Sequence, residues 1–397
     1  MTSKYILFLI LGIDALILFL QTSHISISYE EASLLYGNSS FLQLLVKTSI
    51  SIFGQNDLGL RFVMILFHLM SAVLMYMISK RYITLERNRL WLLLVFILLP
   101  GVVSSAIVVN GAGMVIFGLL LFIYLSEKLP QYMLNILLLF YAFIDIGFAY
   151  LFLGLLIYYL FEKKKRLSAY MLILYLITSY LYGFNISGYP TGHFLDTIGV
   201  YSAIFTPIIF IYLFYSLYRR YLTSKIDMIW YISSTVLILS LVLSFRQRIP
   251  IEYFAPYLII ALPLAAESFI SSYRVRLKMF RTRYKLAFII SFVFLISNTL
   301  LVFFNKDIYL VIDNPKKHFA YEMHIAKELS QKLMSMNIHC VQTDTKMQKR
   351  LKFYKIDKCL ENILIENRFN SEKPSNVTIS YKGNILYKAN VTNLNNI

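Results

Sequence analysis

The sequence predicts an all-α polytopic membrane protein of about eleven transmembrane helices, followed by a small C-terminal α/β extracytoplasmic domain. Three observations predict it. Hydrophobic residues make up 58% of the 397 residues and charged residues only 15%, a balance that would leave a water-soluble domain with too much apolar surface. Apolar runs close to the ~20 residues needed to cross a bilayer recur along most of the chain. Past residue 304 the composition turns polar.

The segments read in order as 4–21, 60–79, 90–109, 112–126, 131–145, 147–162, 168–184, 199–218, 227–245, 251–270 and 286–304. Lys4 precedes the first, but no small-x-small cleavage site follows it, so it reads as a retained helix rather than a signal peptide. In the loop 22–59, Phe41, Leu44, Leu45, Thr48 and Ile52 recur at helical spacing. They predict an amphipathic helix, either on the outer leaflet or packed on neighbouring spans. Asn56, Asp57 and Gly59 turn the chain into segment two. Pro100-Gly101 interrupts segment three, and residues 108–113 form the next outer turn, with Asn110 its polar residue. Asp145 marks the outer tip of the hairpin that Pro130 starts. The loop 183–199 holds His193 and Asp196 without metal-ligand spacing. Arg246, Arg248, Glu252, Tyr253 and Tyr257 cluster where segment ten begins.

A net charge of +17 would suggest nucleic acid as the partner of a soluble protein. Here its distribution gives another account. Lys4, Lys80 to Arg89, Lys128, Lys163 to Arg166, Arg219 to Lys225 and Arg274 to Lys285 fill every other connection with nineteen basic residues, while the alternate connections hold only Lys47, Arg61, Arg246 and Arg248. By the positive-inside rule the N-terminus is cytoplasmic, and an odd number of spans leaves the C-terminus outside. No nucleic acid is expected.

The division by composition is 1–304, the membrane domain with its first outer loop at 22–59, and 305–397, the outer domain. In the latter, MHIAKELSQKLMSMN has a helical period, NIHCVQTD reads as a strand, and NVTISYKGNILYKANV alternates as a hairpin around Lys382-Gly383. Cys340 and Cys359 both fall in this tail, where pairing and two free thiols are both open.

The acidic pair Glu30 and Glu31 follows the first segment. Carboxylates at the mouth of a membrane helix are costly unless they face water, a cation or a substrate, so they are candidate functional groups beside the alternative of a solvated loop. Arg246 and Arg248 are scarce outer guanidiniums that can hold a lipid phosphate or simply anchor to headgroups. The chain has no Walker sequence, GxGxxG, HExxH or GxSxG.

The order of these features resembles the GT-C membrane glycosyltransferases, especially the bacterial branch with the protein mannosyltransferases and the lipid A aminoarabinose transferase. The residues that carry the resemblance are Glu30-Glu31-Ala32, the run from Ile52 to Ile83 with its FG and RF, residues 98–122 with their proline and outer turn, residues 248–266 with Tyr253, Pro256 and Pro263, and the tail from Ile325 to Ile356. It implies transfer of a sugar from a polyprenyl-phosphate-linked donor to a lipid, glycan or protein acceptor at the outer face of a bacterial inner membrane, with the C-terminal domain periplasmic. Glu30 would be the general base, supported by Glu31. Arg61, Asn110, Asp145, Arg246, Arg248 and Tyr253 would line the substrate site, with any divalent cation left open. Three positions depart from the family pattern. The first acid is Glu instead of Asp, the second acidic position is Asn110, and a lysine near the fifth and sixth helices is missing where Asp145 lies. Asn110 and the missing lysine favour an alternative, a catalytically inactive relative that binds or transports lipid-linked glycans.

Overall fold

The structure is a computed structural model that describes residues 3–183, 192–312, 314–367 and 376–393. All eleven apolar segments are helical. They are α1 (Ser3–His24), α4 (Asp57–Ser79), α5 and α6 (Glu86–Ile97, Pro100–Ile107), α7 (Gly111–Ser126), α8 (Gln131–Tyr141), α9 (Ala149–Phe161), α10 (Lys165–Tyr182), α11 and α12 (Phe194–Phe205, Pro207–Leu222), α13 (Met228–Ser244), α14 and α15 (Ile251–Ile259, Leu262–Val275) and α16 (Lys278–Phe303). Two further helices, α2 (Tyr29–Tyr36) and α3 (Phe41–Phe53), lie in the first loop.

Four of these stretches are long and apolar enough to cross a membrane by themselves: α1, α4, α14 with α15, and α16. Two helix pairs, α5 with α6 and α11 with α12, pass the same test of length and composition together but are bent, as a broken span or a re-entrant loop is. Pro100 starts α6 and turns it by 60° from α5; Pro207 starts α12, which leaves α11 at 104°. A proline lacks the N–H that would continue the helix before it, so both breaks fall where the sequence carries one. The shorter apolar helices include α7, α8, α9 and α13.

By packing, the chain divides into two units. The first comprises residues 1–16 and 64–299; the second comprises 17–63 and 300–397. Composition had placed the first outer loop with the spans, whereas by packing it belongs with the C-terminal segment.

In the first unit α9 packs on α10 and α13. Gly154 lets α9 and α13 approach, since a Cβ there would stand 2.9 Å from the Ile232 Cα. In the second unit α17 (Ala326–Ser335) and α18 (Thr345–Phe353) pack beside a three-stranded antiparallel sheet of order β1-β3-β2, formed by Asn362–Glu366, Val377–Tyr381 and Asn384–Asn393. Lys382 and Gly383 turn the β2–β3 hairpin with φ +47° and +91°, the left-handed pair that a tight two-residue turn needs. The stretch expected as a strand, 337–344, makes only isolated bridges from Cys340 to Asp357 and from Gln342 to Ile363. Cys340 and Cys359 are disulfide-bonded, with Cα atoms 5.4 Å apart. The core joins Leu329 and Leu333 of α17, Leu351 of α18 and Leu364, Ile379 and Leu386 of the sheet.

Helix α3 is present as the spacing predicts, but it turns a different face inward. Leu42, Gln43, Val46 and Ser49 are buried, while Leu44 and Ile52 stay exposed. The Gln43 amide donates to the carbonyls of Leu34, Leu35 and Gly37, and this fixes the junction from α2 to α3.

Candidate functional site

The residues singled out from the sequence fall into two groups, one in each unit. In the second unit, Ser28 caps α2. Its side chain accepts from the Glu31 N–H, while the Glu31 carboxylate accepts from the Ser28 N–H, a complete capping box. That geometry sends the two adjacent acids in different directions. Glu31 is fully buried and Glu30 is exposed.

Glu31 meets Arg61, also fully buried, in a bidentate ion pair, with Nε to Oε1 at 2.9 Å and Nη2 to Oε2 at 2.7 Å. The remaining Arg61 donors go to backbone carbonyls of Thr22, Ile25 and Ser26. All five guanidinium N–H groups are thus in use. Arg61, expected at a substrate phosphate, has no donor to offer one in this conformation. Its geometry is that of a clamp on the chain between α1 and α2.

The same segment is tied to the C-terminal residues. The Tyr354 hydroxyl accepts from the Ile27 N–H and donates to Asp57 Oδ1, and Lys327 Nζ stands 2.7 Å from Asp57 Oδ2. Burial and the Asp57 carboxylate push the Tyr354 phenol well up from its ordinary value. Helix α18 lies on α2. Lys346 and Lys349 sit 5.3 and 5.5 Å from the ring centroid of Tyr29, the neighbour of Glu30, and Lys352 sits 4.8 Å from that of Tyr36. Lys349 also donates to Ser33 Oγ. The sequence reading missed this basic row. Its spacing of three along α18 was the available signal, since such residues share one helix face.

In the first unit, Asn110 caps α7 and its side-chain oxygen accepts from the Gly113 N–H. Asp145 occupies the turn after α8, half-buried, with Oδ1 accepting from the Gly147 N–H at 2.7 Å. Gly111 and Gly147 bring these turns together with Tyr253. A Cβ on Gly111 would lie 3.4 Å from Asp145 Oδ2 and 3.7 Å from the Tyr253 ring; one on Gly147 would lie 3.5 Å from that ring. Tyr257 fixes the same corner by donating to the Gly147 carbonyl at 2.6 Å. The turn at Asn110-Gly111, the turn at Asp145 and Tyr253 at the start of α14 therefore come to one place. Arg246 and Arg248 lie in the connection between α13 and α14, both exposed, and reach none of these residues by a hydrogen bond or ion pair among the described residues. His193 instead pairs with Asp196 at 3.3 Å. The rest of that loop, 184–191, lies outside the described residues. No group of three or more His, Cys, Asp or Glu side chains forms a metal-ligand set among the described residues.

No protein-family model matches this chain, and no curated protein matches it by sequence. Its structure is similar to the crystal structure of ArnT from Cupriavidus metallidurans in the apo state, with a TM-score of 0.57 and 11% identity over 92% of this chain and 93% of that one. At such identity the likeness shows the fold.

Proposed function

We propose that this chain, which has the GT-C membrane-glycosyltransferase fold, transfers a sugar from a polyprenyl-phosphate donor to a lipid, glycan or protein acceptor, with Glu30 as general base. The observation that carries the reading is the division of labour within the acidic pair. Glu31 is spent on the capping box and on Arg61, and Glu30 stays open to solvent on the first turn of the same fixed helix. A base must reach the proton it removes, and a carboxylate on a rigid helix start can do so.

The chemistry follows from these groups. The acceptor hydroxyl or amine attacks the anomeric carbon and gives its proton to Glu30. The bond from that carbon to the lipid phosphate oxygen breaks, and the polyprenyl phosphate leaves with the electron pair. Cations stabilise the leaving phosphate. Lys346 and Lys349 beside Tyr29, in the same unit as Glu30, are the candidates. In this reading the site faces the periplasm of a bacterial inner membrane and the basic connections face the cytoplasm.

A second reading, a binder or transporter of lipid-linked glycans, is favoured by Asn110, which serves as a helix cap and carries no charge. The test uses purified protein in lipid with labelled undecaprenyl-phosphate sugars and an envelope extract as acceptor. Glu30→Gln should retain donor binding and lose transfer by roughly 100-fold or more. Donor binding with no transfer by the unaltered protein, across acceptor extracts, would favour the second reading. Full transfer by Glu30→Gln would remove Glu30 as base.

A further inference from the structure

Helix α16 is poorly covered by the rest of its unit. Of its 26 residues only Leu295 and Thr299 are buried. Between it and helices α5, α12 and α15 runs a groove of about 310 Å³, the size of a small ligand site. Trp91, Tyr212, Leu262, Phe269, Tyr284 and Phe288 line it, and its surface is almost wholly apolar. The rings order one another: Trp91 meets Phe288 edge-on at 5.9 Å, and Phe269 stacks on Tyr284 at 4.5 Å. The Tyr212 and Tyr284 hydroxyls share one hydrogen bond at 3.2 Å in a wall that is otherwise almost wholly apolar.

One end of the groove is strongly charged. The Arg276 guanidinium lies 4.3 Å from the Tyr284 ring centroid, and Arg281 is held beside it by bonds to the Arg274 and Arg276 carbonyls. Lys278, Arg283 and Lys285 are exposed on the same turns. No acidic residue occurs between Glu267 and Asp307, and Glu267 is itself paired with Arg220.

We infer that this groove is a binding site for an anionic phospholipid, with an acyl chain between α16 and the α5, α12 and α15 wall and the phosphate at Arg276 and its basic neighbours. An apolar groove between membrane helices takes a hydrocarbon chain, and a basic rim between such helices selects an anionic headgroup. The charge complementarity identifies the occupant as a phosphatidylglycerol or a cardiolipin instead of a zwitterionic lipid. The lipid would fasten α16 to its unit, a role separate from sugar transfer.

Trp91 and Trp230 are the two tryptophans, and Trp91 lines the groove, so it can report occupancy. The full chain carrying Trp230→Phe would be placed in phosphatidylcholine vesicles containing a minor fraction of acyl-brominated lipid. Brominated phosphatidylglycerol should quench Trp91 at least threefold more than brominated phosphatidylcholine at the same mole fraction. Arg276→Gln with Arg283→Gln should abolish that preference, and Ala287→Phe, which fills the groove from an exposed position, should remove the phosphatidylglycerol excess with the charges intact. Native mass spectrometry of the unaltered chain should show retained phosphatidylglycerol, and at least threefold less with Ala287→Phe. Equal quenching by the two lipids, or undiminished retention in Ala287→Phe, would overturn the assignment. Loss of the quenching to an equal amount of undecaprenyl phosphate would give the groove to a polyprenyl chain and overturn it as well.

Discussion

Glu31 and Arg61 are thirty residues apart and wholly enclosed, joined by two hydrogen bonds of 2.9 and 2.7 Å. Neither charge can relax into water if the other is removed, and leaving one partner of such a pair costs about 3–5 kcal/mol. Arg61→Ala and Glu31→Gln should therefore lower the thermal midpoint of the detergent-solubilised chain by several degrees or prevent its folding. Glu30→Gln should leave the midpoint within a degree or so. Equal effects at both glutamates would contradict the division of roles described for them.

The α18 lysines give a test of the leaving-group side. Lys346→Gln with Lys349→Gln removes the two cations over Tyr29. Under the proposed reaction, donor affinity or transfer rate should fall by roughly ten- to a hundredfold, the range for lost charge-assisted contacts to a phosphate. Unchanged kinetics with folded protein would remove Lys346 and Lys349 as the phosphate's partners.

The disulfide closes a loop between residues nineteen positions apart. Its removal should cost about 3 kcal/mol by the loop-entropy relation. Reduction of the full chain, or Cys340→Ser with Cys359→Ser, should make the α17–α18 and sheet region more sensitive to protease. Helix content of the membrane spans should stay near its original level. Protection that is indifferent to reductant would show that the bond contributes little.

Acid should loosen the same region through His324. The imidazole is buried against Tyr309, Asn305 and His318. Burial, with Lys306 and His318 nearby, lowers its pKa from 6.5 to about 3. Between those values the unfolded chain binds a proton that the folded chain refuses, so stability is full above the unfolded pKa and declines as pH falls through that window. From pH 7.5 to pH 5 the loss from this group is about 2 kcal/mol. Hydrogen exchange of α17 and β3 at the two pH values measures it, and His324→Gln should flatten the dependence.

Much of the fold can be read along the chain. Hydropathy marks every apolar helix, because the requirement to satisfy backbone polar groups inside a bilayer is met segment by segment. Pro100 and Pro207 mark the breaks, the period of residues 326–335 marks α17, and Lys382-Gly383 marks the hairpin. The acidic pair was visible as well, since two carboxylates after an apolar run stand out in composition.

Which of the two acids is buried was decided by tertiary structure. Glu30 and Glu31 are chemically alike and adjacent; only the capping box and a cation from α4 separate them, and desolvating a carboxylate is tolerable only where such a partner arrives. The placing of α18 against α2, the joining of the Asn110-Gly111 turn, Asp145 and Tyr253 at one corner, and the pairing of Cys340 with Cys359 are of the same kind. Each joins residues far apart in sequence, and no local period encodes which of them will meet. Local patterning fixes which segments are helices and which faces are apolar. Packing and the cost of burying unpaired charge fix which side chains are left exposed to act.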